Sequence, residues 1–306
     1  MDDFCTELIG KTRQMAVNRD KEHPWKDMTD KELLKSAGLY EKNRVTGEEG
    51  FNMACILLFG KQEVIQSCVP GYKTDAIYRV ENVDRYDDRL IVEKNLLESY
   101  DILMEFISKH TDDKFFLIDN VNMSVRSAIA REIVSNILVH RDYVSAFPAK
   151  LIIEKERIYT ENWNRTQRIG KLELEDFTPY PKNPIIAKFF VNIGYADALG
   201  FGVRNLYKFT KIYSGGEPIF EEGDVFKLTV PLKLSEEPVK SQEVHLSKRQ
   251  SQIMELINGN PEVTREEIAE KLDVSARTIS RELDVLKMLL GIEYDKSQQK
   301  WNKGIQ

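Results

Sequence analysis

Near the C-terminus, two helix-starting signals follow each other closely, and this restricts the fold more than any other feature. Thr264-Arg265-Glu266-Glu267 places a hydroxyl three residues before a carboxylate, the capping-box pattern that begins a helix. Ile268, Ala269 and Leu272 give that helix an apolar side. After the turn Leu272-Asp273-Val274, Ser275 is an N-cap for a further helix reaching Leu290, with Val274, Ile279, Leu283 and Leu286 buried. An amphipathic helix over Leu246–Ile257, opened by Ser247, precedes them. Ile292-Glu293-Tyr294, a polar turn and Lys300-Trp301 read as a two-stranded ribbon. Short capped helices and one ribbon can bury their apolar sides only against each other, as a small domain.

This pattern leaves Ser275, Arg277, Thr278, Ser280 and Arg281 pointing outward at the start of the last helix. In helix-turn-helix domains that end of the second helix enters the major groove. Arg277 and Arg281 then reach guanine or phosphate. The run from Glu266 to Leu283 resembles winged-helix regulators, which implies double-stranded DNA as partner. A helical dimerisation or docking domain is the alternative, since acidic and basic residues balance here.

The chain has 306 residues, more than one ordinary domain requires. Ser235 to Glu243, polar and interrupted by Pro238, reads as the linker before the C-terminal domain. The net charge of −6 excludes a uniformly basic coat but not a local DNA-reading face. No apolar run approaches the ~18 residues of a membrane span, and the N-terminus lacks the flanks of a secretion signal. With Cys5, Cys55 and Cys68 unpaired in spacing, a reducing cytoplasm and no membrane partner are expected.

Upstream, Thr29-Asp30-Lys31-Glu32 is a capped helix start, and Ala76–Val80 reads as a strand. Asn52–Gly60 is too short to assign by periodicity, and Asp84–Arg89 is expected to be a solvated loop. Helical spacing covers Leu96–Ile107 and Val125–Val139. A hairpin of Ala149–Glu154 and Arg157–Thr160 follows, then helices near Ile185–Val191 and Val203–Tyr213 and a strand from Val225 to Leu232. Helices and hairpins on one sheet make an α/β sandwich.

Glu132 and Asn136 lie one turn apart on a helix that ends at His140-Arg141-Asp142-Tyr143. A carboxylate and a carboxamide so placed can hold a water beside a hard cation such as Mg²⁺, with Glu132 as general base. Asn183-Pro184 starts one helix, and Gly200-Phe201-Gly202 precedes another, where backbone N–H groups can approach a phosphate. Equally, Glu and Asn at that interval are common on solvated faces, and glycines permit tight turns. Arg141 and Asp142 read as a structural pair at the helix end, with His140 lining the pocket or packing.

Together with Leu57-Leu58-Phe59-Gly60-Lys61, these segments resemble a bacterial family of transcriptional regulators labelled as related to ATP-dependent DNA helicases. The resemblance implies a multidomain α+β chain: an α/β sandwich of divergent GHKL (Bergerat) type plus a C-terminal winged helix-turn-helix. Residues 1–90 resemble part of a Schlafen/AlbA-like DNA-binding module, 91–234 the GHKL-like domain, 235–245 the linker and 246–306 the winged helix. It further implies ATP and Mg²⁺ as ligands. Glu132 becomes the base, Asn136 the metal ligand, and His140, Glu161, Asn183, Gly200 and Gly202 contacts to the nucleotide.

This chain departs from the GHKL pattern at Glu161-Asn162-Trp163-Asn164-Arg165, where glycines are missing. Nucleotide binding is therefore expected over hydrolysis. The leading expectation is a DNA-binding transcriptional regulator with an ATP-sensing domain, compatible with a homo-oligomer. The alternatives are a DNA-dependent ATPase and a degenerate scaffold with its pocket filled by Trp163 or Arg165.

Overall fold

A computed structural model describes residues 2–82, 84–113, 115–118, 121–163, 169–172, 181–197, 201–232, 248–290, 292–295 and 300–303. The chain divides into two compact units, Met1–Asp113 with Val125–Glu237, and Lys114–Ser124 with Pro238–Gln306. The linker expected at 235–245 and the cap Ser247 lie outside the described residues.

The helices are α1 (Thr6–Arg19), α2 (Asp30–Ser36), α3 (Met53–Phe59), α4 (Gln62–Cys68), α5 (Leu96–His110), α6 (Val125–Val139), α7 (Pro184–Ile193), α8 (Phe201–Ser214), α9 (Lys248–Gly259), α10 (Arg265–Lys271) and α11 (Ala276–Leu290). The strands are β1 (Tyr40–Lys42), β2 (Glu49–Phe51), β3 (Thr74–Tyr78), β4 (Asp88–Val92), β5 (Phe115–Ile118), β6 (Val121–Ser124), β7 (Ala149–Ile153), β8 (Arg157–Trp163), β9 (Gly170–Leu172), β10 (Ile219–Glu222), β11 (Val225–Pro231), β12 (Ile292–Asp295) and β13 (Lys300–Lys303).

The larger unit is mixed α/β, built on a seven-stranded sheet in the order β4-β3-β7-β8-β11-β10-β9. Only the β3–β7 neighbours are parallel. Helices α5, α6 and α8 pack on β3, β8 and β11. The strand residues on that side are apolar or small: Ala76, Leu151, Ile153, Ile158, Leu228 and Val230 are all buried. Alternate residues on the opposite side pair by charge, as in Lys150–Glu161–Lys227, because side chains on a strand alternate between faces.

The sheet runs across residue 90. Strand β3, before it, pairs with β7, after it, and residues 1–113 share one unit with 125–237. An aromatic cluster adds to this: Trp25 stacks on Phe189 of α7 at 5.3 Å, and Phe59 meets the same ring edge-on at 5.5 Å. The Asn52–Gly60 run forms α3, capped by Asn52 accepting from Cys55 N. Part of the segment expected as a solvated loop is strand β4 instead. Its Arg89 forms a bidentate pair with Asp75 of the neighbouring strand, at 2.8 and 2.7 Å, which a charged sequence alone does not disclose.

In the smaller unit, Ile253, Ile257, Val263, Ile268, Ile279, Leu283 and Leu286 form the core between α9, α10 and α11. Val274 is only half-buried, because it precedes the helix it was expected to line. β12 and β13 form the ribbon, with Trp301 Nε1 donating to Val263 O at 2.7 Å.

Candidate functional site

Helix α6 supplies one wall of a cavity of about 300 Å³ in the larger unit. Glu132, Ser135, Asn136, Val139 and His140 line it at the 3–4-residue spacing of one helical face. Pro184, Ala187, Lys188 and Val191 of α7 close a second side, and Gly202, Val203 and Leu206 of α8 a third. Phe220 and Leu228 of the sheet form the floor, and Asp197 lies between α7 and α8.

The charged end of the cavity is a shared pair. Arg131 Nη2 lies 3.1 Å from Glu132 Oε1 and 3.0 Å from both oxygens of Asp197. Asn205 Nδ2 donates to Asp197 Oδ2 at 2.7 Å. Burial and the neighbouring Asp197 carboxylate push Glu132 up to about 7, against the lowering influence of Arg131. Burial, with Lys182 nearby, lowers His140 to about 4, so its ring is neutral at physiological pH. Asn136 lines the cavity, and its Oδ1 is buried with no hydrogen-bond partner among the described residues.

Gly202 leaves room for the Glu132 carboxyl: a Cβ there would lie against Glu132 Oε2 and oblige that side chain to move. Glycine at this helix start was expected to let backbone approach a phosphate. The structure places the chain's own carboxylate against it.

The remaining expected contacts divide. Glu161 does not line the cavity; it lies on the opposite side of the sheet between Lys150 and Lys227, 3.3 Å from each. Strand parity decides this, since Ile158, Thr160 and Asn162 are the residues of β8 that turn inward. Asn183 Nδ2 donates to Val139 O and Arg141 O at 2.9 and 2.8 Å. Asn162 Nδ2 donates to His140 O at 3.0 Å. Both amides satisfy carbonyls at or just past the end of α6, where intrahelical donors have run out. Arg141 is buried between the rings of Tyr72 and Tyr143 and donates to Lys73 O at 3.3 Å. Trp163 packs against Phe147 and does not line the cavity, so of the two side chains that the scaffold alternative named it is not the one filling the pocket. Gly200 and Arg165 lie outside the described residues.

Magnesium triphosphate does not fit the described residues. Both carboxyls already hold Arg131, Lys188 is the one lysine or arginine among the described lining residues, and the Glu132 carboxyl occupies the start of α8. Among the described residues, no group of three or more His, Cys, Asp or Glu is placed to hold a metal. The sequence reading assigned no role to Arg131 or Asp197. Their pairing spans 66 residues and leaves no local signal.

In the smaller unit, Thr264 and Glu267 form the expected capping box, with Glu267 N donating to Thr264 Oγ1 at 3.2 Å. Thr278 N donates to Ser275 Oγ at 3.2 Å, which confirms Ser275 as the cap of α11. Asp273 turns the chain between the helices at φ 50°, a left-handed conformation that Asp tolerates better than most residues. Ser275 and Arg281 are exposed and Thr278 is half-buried; the side chain of Arg277 lies outside the described residues.

Comparison with known proteins agrees with this geometry. Residues 249–304 match a family described as an HTH domain. Residues 249–304 form a C-terminal helix-turn-helix domain. Residues 1–75 match a domain of unknown function, DUF8451. No curated protein matches the chain. Among solved structures, the chain is similar to the DIP2311 protein from Corynebacterium diphtheriae, with a TM-score of 0.57 and 17% identity over 97% of this chain. The match covers 62% of that protein, so the likeness concerns the fold of part of a longer chain. Among the described residues, no helix is long and apolar enough to cross a membrane.

Proposed function

We propose that this chain is a DNA-binding transcriptional regulator whose helix-turn-helix unit reads double-stranded DNA and whose larger unit senses a small molecule. The observation that carries the reading is the capped α10–turn–α11 arrangement with Ser275 and Arg281 exposed at the start of the second helix. That is the end which enters a major groove. The cavity supports the sensing half, because a largely apolar enclosure with a few convergent polar groups is the usual form of a ligand site.

Binding of a fluorescent duplex is expected in the micromolar range or weaker for random sequence, and should fall steeply between low and physiological salt as counterions are released. Arg281→Ala and Arg277→Ala should each cost about 1–3 kcal/mol at a specific site, less on random DNA. Intact binding in both variants would remove α11 as the recognition helix.

A DNA-stimulated ATPase would need Glu132 to take a proton from water. Its raised proton affinity favours that role, but its carboxylate is held on Arg131 and against the start of α8. Phosphate release is expected to stay at background with or without DNA. Release that DNA stimulates and Glu132→Ala abolishes would establish the ATPase instead. ATP sensing is tested separately by titrating ATP and Mg²⁺ against wild type and Asn136→Ala; binding lost only in the variant would establish it.

A further inference from the structure

We propose that the cavity of the larger unit binds a compact organic monocation, an ammonium or amidinium carried on an apolar body, with its charge set against Glu132 and Asp197. The inference rests on the sensing half of the proposed function and names the ligand class.

Charge complementarity is the first argument. Glu132 and Asp197 share Arg131, with side-chain exposures of 9%, 20% and 21%. Two carboxyls share one guanidinium in a region where charge is poorly screened. Glu132 holds its proton to about 7, and a bound cation favours its release, leaving negative charge for the ligand to meet. Lys188 does not offset this, because it is exposed and its field is damped by solvent. A cationic ligand lowers the energy of the pair, whereas a phosphorylated anion raises it.

The shape supplies the second argument. Val139, Val191, Val203, Leu206, Phe220 and Leu228 make the rest of the wall apolar. A cavity of about 300 Å³ is at the small end of ligand sites and suits one ring system or a branched alkyl body. Hydrogen bonding is the third. Asn136 Oδ1 lacks a partner among the described residues, and His140 is neutral, leaving one ring nitrogen as an acceptor for a second N–H.

Calorimetric titration of the full chain with tryptamine and benzamidine tests this, beside the neutral analogues 3-ethylindole and benzamide and beside ATP with Mg²⁺. Each cation is expected to bind at least tenfold more tightly than its neutral analogue. Asp197→Asn, which keeps one acceptor oxygen for the donors Arg131 and Asn205 but removes the charge, should erase that preference while circular dichroism shows the fold retained. Leu206→Trp should block every probe by filling the cavity. Equal affinity for cation and neutral analogue, tighter binding of ATP with Mg²⁺, or no binding of any probe each overturns the proposal. Duplex binding measured on the same samples separates the two readings: DNA affinity without cation affinity removes only the ligand class.

Discussion

Phe189→Ala is expected to destabilise the larger unit by about 3–5 kcal/mol, the usual cost of emptying a fully buried aromatic site. Phe189 is 1% exposed and joins segments far apart in the chain: Trp25 before α2 and Phe59 at the end of α3 both meet its ring. Aromatic pairs of this geometry add to the area they bury. The expected consequence is that residues 1–75 and the sheet lose structure in one transition at lower urea, because Phe189 packs within a core that both share and its loss weakens that single cooperative unit. Urea unfolding followed by tryptophan fluorescence and by circular dichroism should give coincident curves, both shifted to lower urea. Two separated transitions in the wild type would mean that the N-terminal segment folds independently.

Glu132→Gln is expected to do the opposite, and only above acid pH. In the unfolded chain this carboxyl ionises near its ordinary value of 4.5, whereas in the folded unit it keeps its proton to about 7. Between those limits the unfolded state releases a proton that the folded state holds, so stability falls as pH rises, and it levels off above about 7. The full difference corresponds to roughly 3 kcal/mol. Glutamine has no charge to bury and can still face Arg131, which retains Asp197. The variant should therefore match wild type near pH 4 and exceed its stability by roughly 2–3 kcal/mol at pH 8. A difference independent of pH would show that Glu132 does not titrate in the folded unit as the burial implies. Because the group is retained at a cost to stability, the experiment also bears on function: buried, strained carboxyls concentrate at binding and catalytic sites.

Much of the helix-turn-helix was legible in the residues because its determinants are local. A capping box spans four positions, an N-cap acts on an amide three residues on, and helical spacing repeats within a dozen residues. Thr264, Ser275 and the Ile279–Leu283–Leu286 stripe therefore did what their spacing implied. For the same reason α6 matches its expected limits, and Glu132 and Asn136 share the cavity wall.

The rest was decided by contacts that no local pattern records. Whether an acidic residue in β8 faces the helices or the open side of the sheet depends on strand register, and a shift of one residue reverses it. That parity sends Glu161 to Lys150 and Lys227 and turns Asn162 to the end of α6. Asn183 finds its acceptors more than 40 residues away, and Arg131 reaches Asp197 across 66. Local sequence determined the long helices such as α5 and α6, the β7–β8 hairpin and where the helix-turn-helix lies. Only the tertiary structure decided which polar side chains face a ligand and which complete the backbone, because burial and pairing are fixed by neighbours distant in the chain.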